Sequence, residues 1–303
     1  GTQGQPTSVS LVRYAKSFKI KMKREEIIKE LIKSGRYPTK LYKYRPISSQ
    51  TLNIIQNNNL WFSTPNNFND PFDCAINSQN PINPVAIRQF LIDNSNGNLN
   101  ENEINRIVEE LLRNPNELNR IVNKAIKNRL NQVGILCLSK EKNEPLSWAH
   151  YCQSHTGLCL EFELENDPLF FDTLLCVKYQ DNYPSYDHFQ NQNQFLELMI
   201  STKSKHWSYE NEYRVLKLKY GLYNFSPKAL KKIIFGFRCT EKNQARIYRI
   251  IKKNSKYSEV TFEKEEPENS SYSLIFKPLT ADYLEEISER NQESLYEKIK
   301  GIF

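Results

Sequence analysis

Strand-like and helix-like segments interleave along this chain without strict alternation, which predicts an α+β fold. Three observations carry that expectation. The runs TKLYKYRP (39–46), VGILCLS (133–139) and GLCLEFEL (157–164) have the alternation or the continuous apolar character of strands. The stretch from about 84 to 131 repeats Ile104, Ile107, Val108, Leu111, Leu112 and then Leu118, Ile121, Val122, Ile126 at helical spacing. Further strand-like runs follow near 174–179, 211–219, 231–236, 258–263 and 272–277, among helical segments at about 186–202 and 240–253. The expected architecture is a mixed central β-sheet, split or continuous, flanked by helices and carrying an inserted helical lobe.

Taken in order, residues 1–21 are set apart as a disordered lead-in or cloning remnant, and MKREEIIKELIKSG (22–35) predicts a short amphipathic helix ended by Gly35. The first strand follows, with Leu41, Lys43 and Arg45 on one face and Tyr42 and Tyr44 on the other, and Pro46 stops it. ISSQTLNIIQNNN reads as a helix capped by Ser48 or Ser49, and LWFST (60–64) as a second short strand. NSNGN (94–98) separates two helices of the lobe, and EPLSWAHYCQSH predicts a helix closed by Gly157. Residues 22–280 are read as one domain with its insertion at about 84–131, and 281–303 as a charged amphipathic helix.

Composition narrows the function classes. The chain has 303 residues, enough for a substantial core, with 39% hydrophobic and 12% aromatic residues. The net charge of +7 suits a polyanionic partner. No apolar run approaches the roughly 18 residues of a membrane span. The six scattered cysteines read as reduced thiols, so a cytoplasmic location is expected.

Three motifs bear chemistry. In HWSYENEYRVLKL (206–218), strand geometry places Glu210, Glu212 and Arg214 on one face and Tyr209, Asn211 and Tyr213 on the other. Adjacent like charges on one face are unfavourable unless a cation or ligand answers them, and Trp207, Tyr209 and Tyr213 point to a pocket rim. In FNDPFD (68–73), Asn69 and Asp70 precede or form an Asx-type corner that Phe68 and Phe72 are expected to anchor by burial. In LSWAHYCQSHTG (146–157), Trp148, His150 and Tyr151 are candidates to face a cleft. Cys152, His155 and Cys159 have a ligand-like spacing but lack a fourth partner, so no metal is expected. There is no glycine-rich phosphate loop, nucleophile elbow or His-Glu-x-x-His motif.

The order LYKYR, LWFSTPNNFNDPFD, ILCLS, LSWAHY, GLCLEF and HWSYENEYR resembles a widespread bacterial family of cytoplasmic proteins known mainly as a domain of unknown function, over roughly residues 40–278. More distantly it resembles the ADP-ribosyltransferase fold. That resemblance implies NAD as substrate, with Lys43, Tyr44 and Arg45 at the first motif, Ser139 or Tyr151 at the second and Glu212 at the third; Lys43 stands where many such enzymes have His. It implies an ADP-ribosyltransferase or NAD glycohydrolase, in the setting of a toxin or phage-defence effector, with a protein or nucleic-acid acceptor and no membrane partner. Glu212 would stabilise the ribosyl oxocarbenium and Glu210 would orient or deprotonate the acceptor. Arg45 or Lys43 would hold the pyrophosphate, and Trp148, Tyr151 or Tyr209 would stack on a base. Asn69, Asp70, His150 and Arg214 complete the expected ligand-binding set. The alternatives are a nucleic-acid-binding or nucleic-acid-processing protein, favoured by the charge and the basic segment 228–256, and a non-catalytic regulatory module.

Overall fold

The computed structural model describes residues 24–75, 83–184 and 195–300, with side chains apart from those of Leu118, Phe195 and 293–300. The expected lead-in, and part of the helix expected over 186–202, lie outside the described residues. The chain runs α1 (Arg24–Lys33), β1 (Lys40–Arg45), α2 (Ser49–Asn57), β2 (Asn59–Phe62), then three helices α3 (Pro84–Asn94), α4 (Glu101–Arg113) and α5 (Pro115–Leu130). It continues β3 (Gly134–Ser139), α6 (Pro145–Tyr151), β4 (Leu158–Glu163), β5 (Leu174–Cys176), β6 (Lys178–Gln180), α7 (Phe195–Ile200), β7 (Thr202–Ser204), β8 (Glu212–Lys217) and β9 (Gly221–Asn224). Last come β10 (Leu230–Phe235), α8 (Glu241–Lys252), β11 (Thr261–Pro267), β12 (Leu274–Leu279) and α9 (Ala281–Lys300).

Eight strands form one mixed sheet in the order β12-β11-β10-β4-β1-β3-β8-β5. Every neighbouring pair is antiparallel except β10 and β11, the pair that α8 connects. One face of the sheet packs Leu41, Leu136, Leu138, Leu160, Phe162 and Ile233 against the apolar stripes of α1, α2, α8 and α9. The lobe α3–α5 closes on its own small core of Ile87, Ile104, Val108, Val122 and Ile126, joined by Met199 of α7. Among the described residues no helix is long and apolar enough to cross a membrane.

The sheet is split near its middle. β1 pairs with β4 along its whole length, from Lys40↔Glu163 to Arg45↔Leu158, yet meets β3 only at Tyr42↔Ser139. Beyond that position the backbone groups of the two strands need other partners, because a buried carbonyl without a hydrogen bond is costly. Lys43 supplies one, its Nζ donating to the Cys137 carbonyl at 2.7 Å. Ser63, just after β2, supplies another through its bridge to Ile135. The gap is therefore a constructed opening, and side chains from both faces of the sheet reach it.

Local differences from the sequence reading have identifiable causes. α6 ends at Tyr151, before Gly157, because Gln153, Ser154 and His155 all take left-handed backbone angles. Gly157 instead marks a close approach: a Cβ there would meet the Arg45 carbonyl at 2.3 Å. Glu210 is not in a strand. Lys205–Glu210 is a 3₁₀ helix ended by Asn211 in the left-handed region (φ 43°), a conformation that Asn tolerates, and β8 starts only at Glu212. Trp148, expected to face a ligand, is fully buried; its Nε1 donates to the Lys142 carbonyl, and Tyr44 and His155 pack on its ring.

Beside that tryptophan, His155 Nδ1 lies 2.7 Å from Oε1 of Glu265, whose buried Oε2 has no hydrogen-bond partner among the described residues. Burial pushes the Glu265 carboxyl up to about 8 and pulls the His155 imidazole down, so the pair is neutral near pH 7. Between the ordinary carboxylate range and about 8, the folded protein holds on Glu265 a proton that the unfolded chain has lost. Below the ordinary imidazole range the lowered His155 contributes the opposite slope, so stability should fall with pH between that range and about 8, with a slope of at most about 1.4 kcal/mol per pH unit from Glu265. Urea denaturation at several pH values should show that decline, and Glu265→Gln should flatten it; an unchanged slope in the variant would remove Glu265 as its source.

Candidate functional site

A cleft of about 660 Å³ occupies the gap between β1 and β3. One wall is β1 and α2, contributing Lys43, Arg45, Gln50 and Asn53; the other holds Ser139, Tyr151, Lys203, Glu210 and Glu212. Trp61 and Leu222, cross-strand partners in the β2–β9 ribbon, stand at the mouth, and Trp61 is half exposed.

The chemistry gathers on Lys203, a residue that the sequence reading did not single out. Its buried Nζ donates to Glu210 Oε2 at 2.5 Å and to Glu212 Oε2 at 3.0 Å, with Asp73 Oδ2 at 3.7 Å. Burial works against the charged ammonium, but Glu212, Glu210 and Asp73 together outweigh it and raise the pKa, so Lys203 is a fixed cation. Trp207 covers it, with the ring centroid 5.1 Å from Nζ. β7 ends the α7 turn with Lys203 pointing at the start of β8, which explains how residues seven and nine positions apart meet.

Arg214 forms the floor. With no solvent exposure, it donates Nε to Glu212 Oε1 at 2.8 Å and Nη2 to Glu212 Oε2 at 3.0 Å. The same guanidinium forks onto Asp73, Nη1 to Oδ1 at 3.0 Å and Nη2 to Oδ2 at 2.6 Å, and Nη1 also reaches the Ile200 carbonyl at 2.8 Å. Phe68 lies over it at 5.4 Å. Arg214 is thus a positioning residue beneath the cleft and does not line it, contrary to the expected ligand contact.

The two glutamates are driven apart. Although burial opposes ionisation of Glu212, Arg214 and Lys203 hold its carboxyl well below the usual range. Burial raises the Glu210 carboxyl, and Lys203 only partly offsets it. Glu210 has no bond from Arg214; its second oxygen accepts from Tyr151 Oη at 2.5 Å, and Asn69 Nδ2 donates to that hydroxyl at 3.4 Å. Three carboxylates face two cations, so the cluster carries one negative charge when all three are ionised, and Glu210 is the carboxyl whose ionisation burial opposes. On the opposite wall, Arg45 makes only long side-chain contacts among the described residues, to Thr51 and Gln50, both 3.4 Å, leaving its guanidinium available to a ligand. Burial lowers the pKa of Lys43, whose ammonium is committed to the Cys137 carbonyl. Cys137 also lines the cleft, but burial pushes its thiol well up, which removes it as a thiolate nucleophile.

Of the expected site residues, the structure brings Lys43, Tyr44, Arg45, Asn69, Ser139, Tyr151, Glu210 and Glu212 to one cleft. Tyr44 and Ser139 contribute mainly as structure: Tyr44 Oη donates to the Glu141 carbonyl, and Ser139 Oγ donates to the Glu210 carbonyl at 2.7 Å, fixing the 3₁₀ helix to β3. His150 and Tyr209 lie outside, bonded to each other at 2.9 Å on an exposed patch beside Trp207, because the 3₁₀ helix turns residue 209 away from residue 210. Asp70 is also outside; its Oδ1 accepts from Phe72 N, making the anticipated Asx corner. Phe72, expected to anchor that corner, is 65% exposed; the anchor is Asp73 on Arg214. No group of three or more potential metal ligands occurs among the described residues.

These links separate the two glutamates experimentally. Glu212→Gln strips a charge from a buried network and should lower stability by about 3–5 kcal/mol, whereas Glu210→Gln, at a carboxyl that Arg214 does not bond and whose ionisation burial opposes, should cost less than half of that. Denaturant melts decide the matter; equal losses would contradict the division of roles.

No curated protein and no solved structure matches the chain. The segment that carries Tyr151, Lys203, Glu210, Glu212 and Arg214, residues 147–215, matches the model of a family described as a protein of unknown function, DUF2971.

Proposed function

We propose that the cleft binds NAD and that the protein cleaves its nicotinamide–ribose bond, transferring ADP-ribose to water or to an acceptor nucleophile. The observation that carries this reading is the polarity of one cleft, with Arg45 and Lys43 on one wall and the Lys203-centred carboxylates on the other. A dinucleotide has matching ends: an anionic pyrophosphate for Arg45, and a cationic nicotinamide ribose whose hydroxyls suit carboxylate acceptors. The volume lies within the range of small-molecule sites, and the exposed face of Trp61 at the mouth offers a stacking surface for a base.

When the bond between the ribose carbon and the ring nitrogen breaks, its electron pair goes to nicotinamide and neutralises the ring, while positive charge develops on the ribose. The residual negative charge of the glutamate cluster stabilises that charge. The nucleophile then adds to the same carbon, and its proton passes to Glu210, whose raised pKa suits a proton acceptor more than that of Glu212 does. Glu212 keeps Lys203 and Arg214 in register and remains ionised throughout.

Incubation with NAD should release free nicotinamide, detectable by chromatography, and NAD should raise the melting temperature. Glu210→Gln should slow release by about a hundredfold or more while retaining binding. Arg45→Ala should weaken binding roughly tenfold, the effect of losing one charge-assisted hydrogen bond. Absence of both turnover and thermal stabilisation with NAD would overturn the proposal.

The second reading, nucleic-acid binding, has one observation in its favour, a basic face on α8 whose residues are not part of the cleft lining.

A further inference from the structure

A second concavity, of about 460 Å³, lies between α2, α8 and α9 and is lined by Leu52, Gln56, Arg246, Arg249, Lys253 and Gln292 among others. Arg246, Arg249 and the C-cap Lys253 fall at i, i+3 and i+7, so they form one stripe along α8 and its C-terminal end, and Lys242 continues it a turn earlier. At about 1.5 Å per residue the three groove-lining cations extend along about 10 Å of helix. No carboxylate among the described residues pairs with any of them. Of the acids on α9, Glu285 is engaged with Lys252 and Tyr248 and Glu286 with Arg290, which also takes Glu241, while Glu289 pairs with none of the three groove cations. Arg249 makes a single long contact to the Ser288 carbonyl, 3.5 Å.

Unpaired cations in a row repel one another, and that repulsion is relieved by a ligand carrying several negative charges at matching spacing. A single phosphate covers one or two such groups; a row of this length suits consecutive phosphates of a chain. The amides of Gln56 and Gln292 add hydrogen-bond donors along the same groove. α2 separates this groove from the cleft, presenting Leu52 and Gln56 to one and Gln50, Asn53 and Ile54 to the other. We propose that the α2–α8–α9 groove binds the phosphodiester backbone of a single nucleic acid strand, independently of what occupies the cleft.

The test is fluorescence anisotropy with fluorescein-labelled oligouridylate and oligodeoxythymidylate, titrated at several salt concentrations. Three phosphate contacts give a slope of about −2 for log affinity against log salt on a single strand. The triple variant Arg246→Gln, Arg249→Gln, Lys253→Gln should lose affinity roughly tenfold or more at low salt and flatten the slope, with an unchanged melting temperature. Lys219→Gln, which removes an exposed charge away from the groove, should bind as the parent protein does. Inorganic pyrophosphate should compete only weakly, and NAD should not displace the strand. Binding by the triple variant equal to that of the parent, an equal loss in Lys219→Gln, or displacement by pyrophosphate at concentrations comparable to those of the oligonucleotide's phosphates would overturn the proposal, as would the absence of binding altogether.

Discussion

A guanidinium removed from water on a central strand has to be paired almost completely, and the pairing of Arg214 organises this protein. Its donors reach Glu212 on its own strand, Asp73 from the corner after β2, and the end of α7 through the Ile200 carbonyl. Three parts of the chain that are remote in sequence are thereby fixed at one edge of the opening between β1 and β3. Lys203 repeats the arrangement one layer closer to the cleft, with Glu210, Glu212 and Asp73 around its ammonium. Buried ion networks are seldom a source of net stability relative to an apolar core, so their specificity is the more natural reason for their presence. Here that specificity consists of holding two carboxyls at the same site in opposite protonation tendencies.

The split sheet makes the network useful. A continuous sheet would place β1 against β3 along its length and leave no room between Lys43 and Ser139. Because the two strands meet only at Tyr42 and Ser139, the space below is walled by side chains, with the Lys43 ammonium and the Ser63 backbone taking the places of missing ladder bonds. The opening thus has a cationic side and an acidic side for a structural reason: one side is finished by a lysine on a carbonyl, and the other by carboxylates on a buried lysine and arginine.

Much of the architecture was legible in the sequence because it rests on local periodicity. The strands at 40–45, 134–139 and 158–163, the capped helix after Ser48 and the three-helix lobe all follow from spacing and turn residues. The Glu-x-Glu-x-Arg pattern correctly raised the question of what answers two adjacent acids, but the answer came from elsewhere. Lys203 sits in TKSKHW, where nothing local distinguishes it from the exposed Lys205 two residues later. Asp73 was hidden behind the stronger turn signal of Asp70, and Phe72 looked like an anchor because apolar residues in rigid corners usually pack. Trp148 and His150 illustrate the same limit: helical spacing indicates that residues differ in facing, but only the fold decides that Trp148 enters a core while His150 meets Tyr209 at the surface. The left-handed step at Asn211, which turns the expected strand into a 3₁₀ helix, depends on Ser139 bonding the Glu210 carbonyl from a distant strand.

The central claim is that Lys203 and Arg214 divide the two glutamates into a permanently ionised carboxylate and a proton acceptor. Carbon-detected NMR titration of the glutamate side-chain carboxyls, assigned by Glu210→Gln and Glu212→Gln, measures that division directly. The account predicts that the Glu210 resonance titrates above the ordinary glutamate range and that the Glu212 resonance stays in its ionised position below that range, as the directions of the two shifts require. Two carboxyls titrating together at the ordinary glutamate value would contradict it.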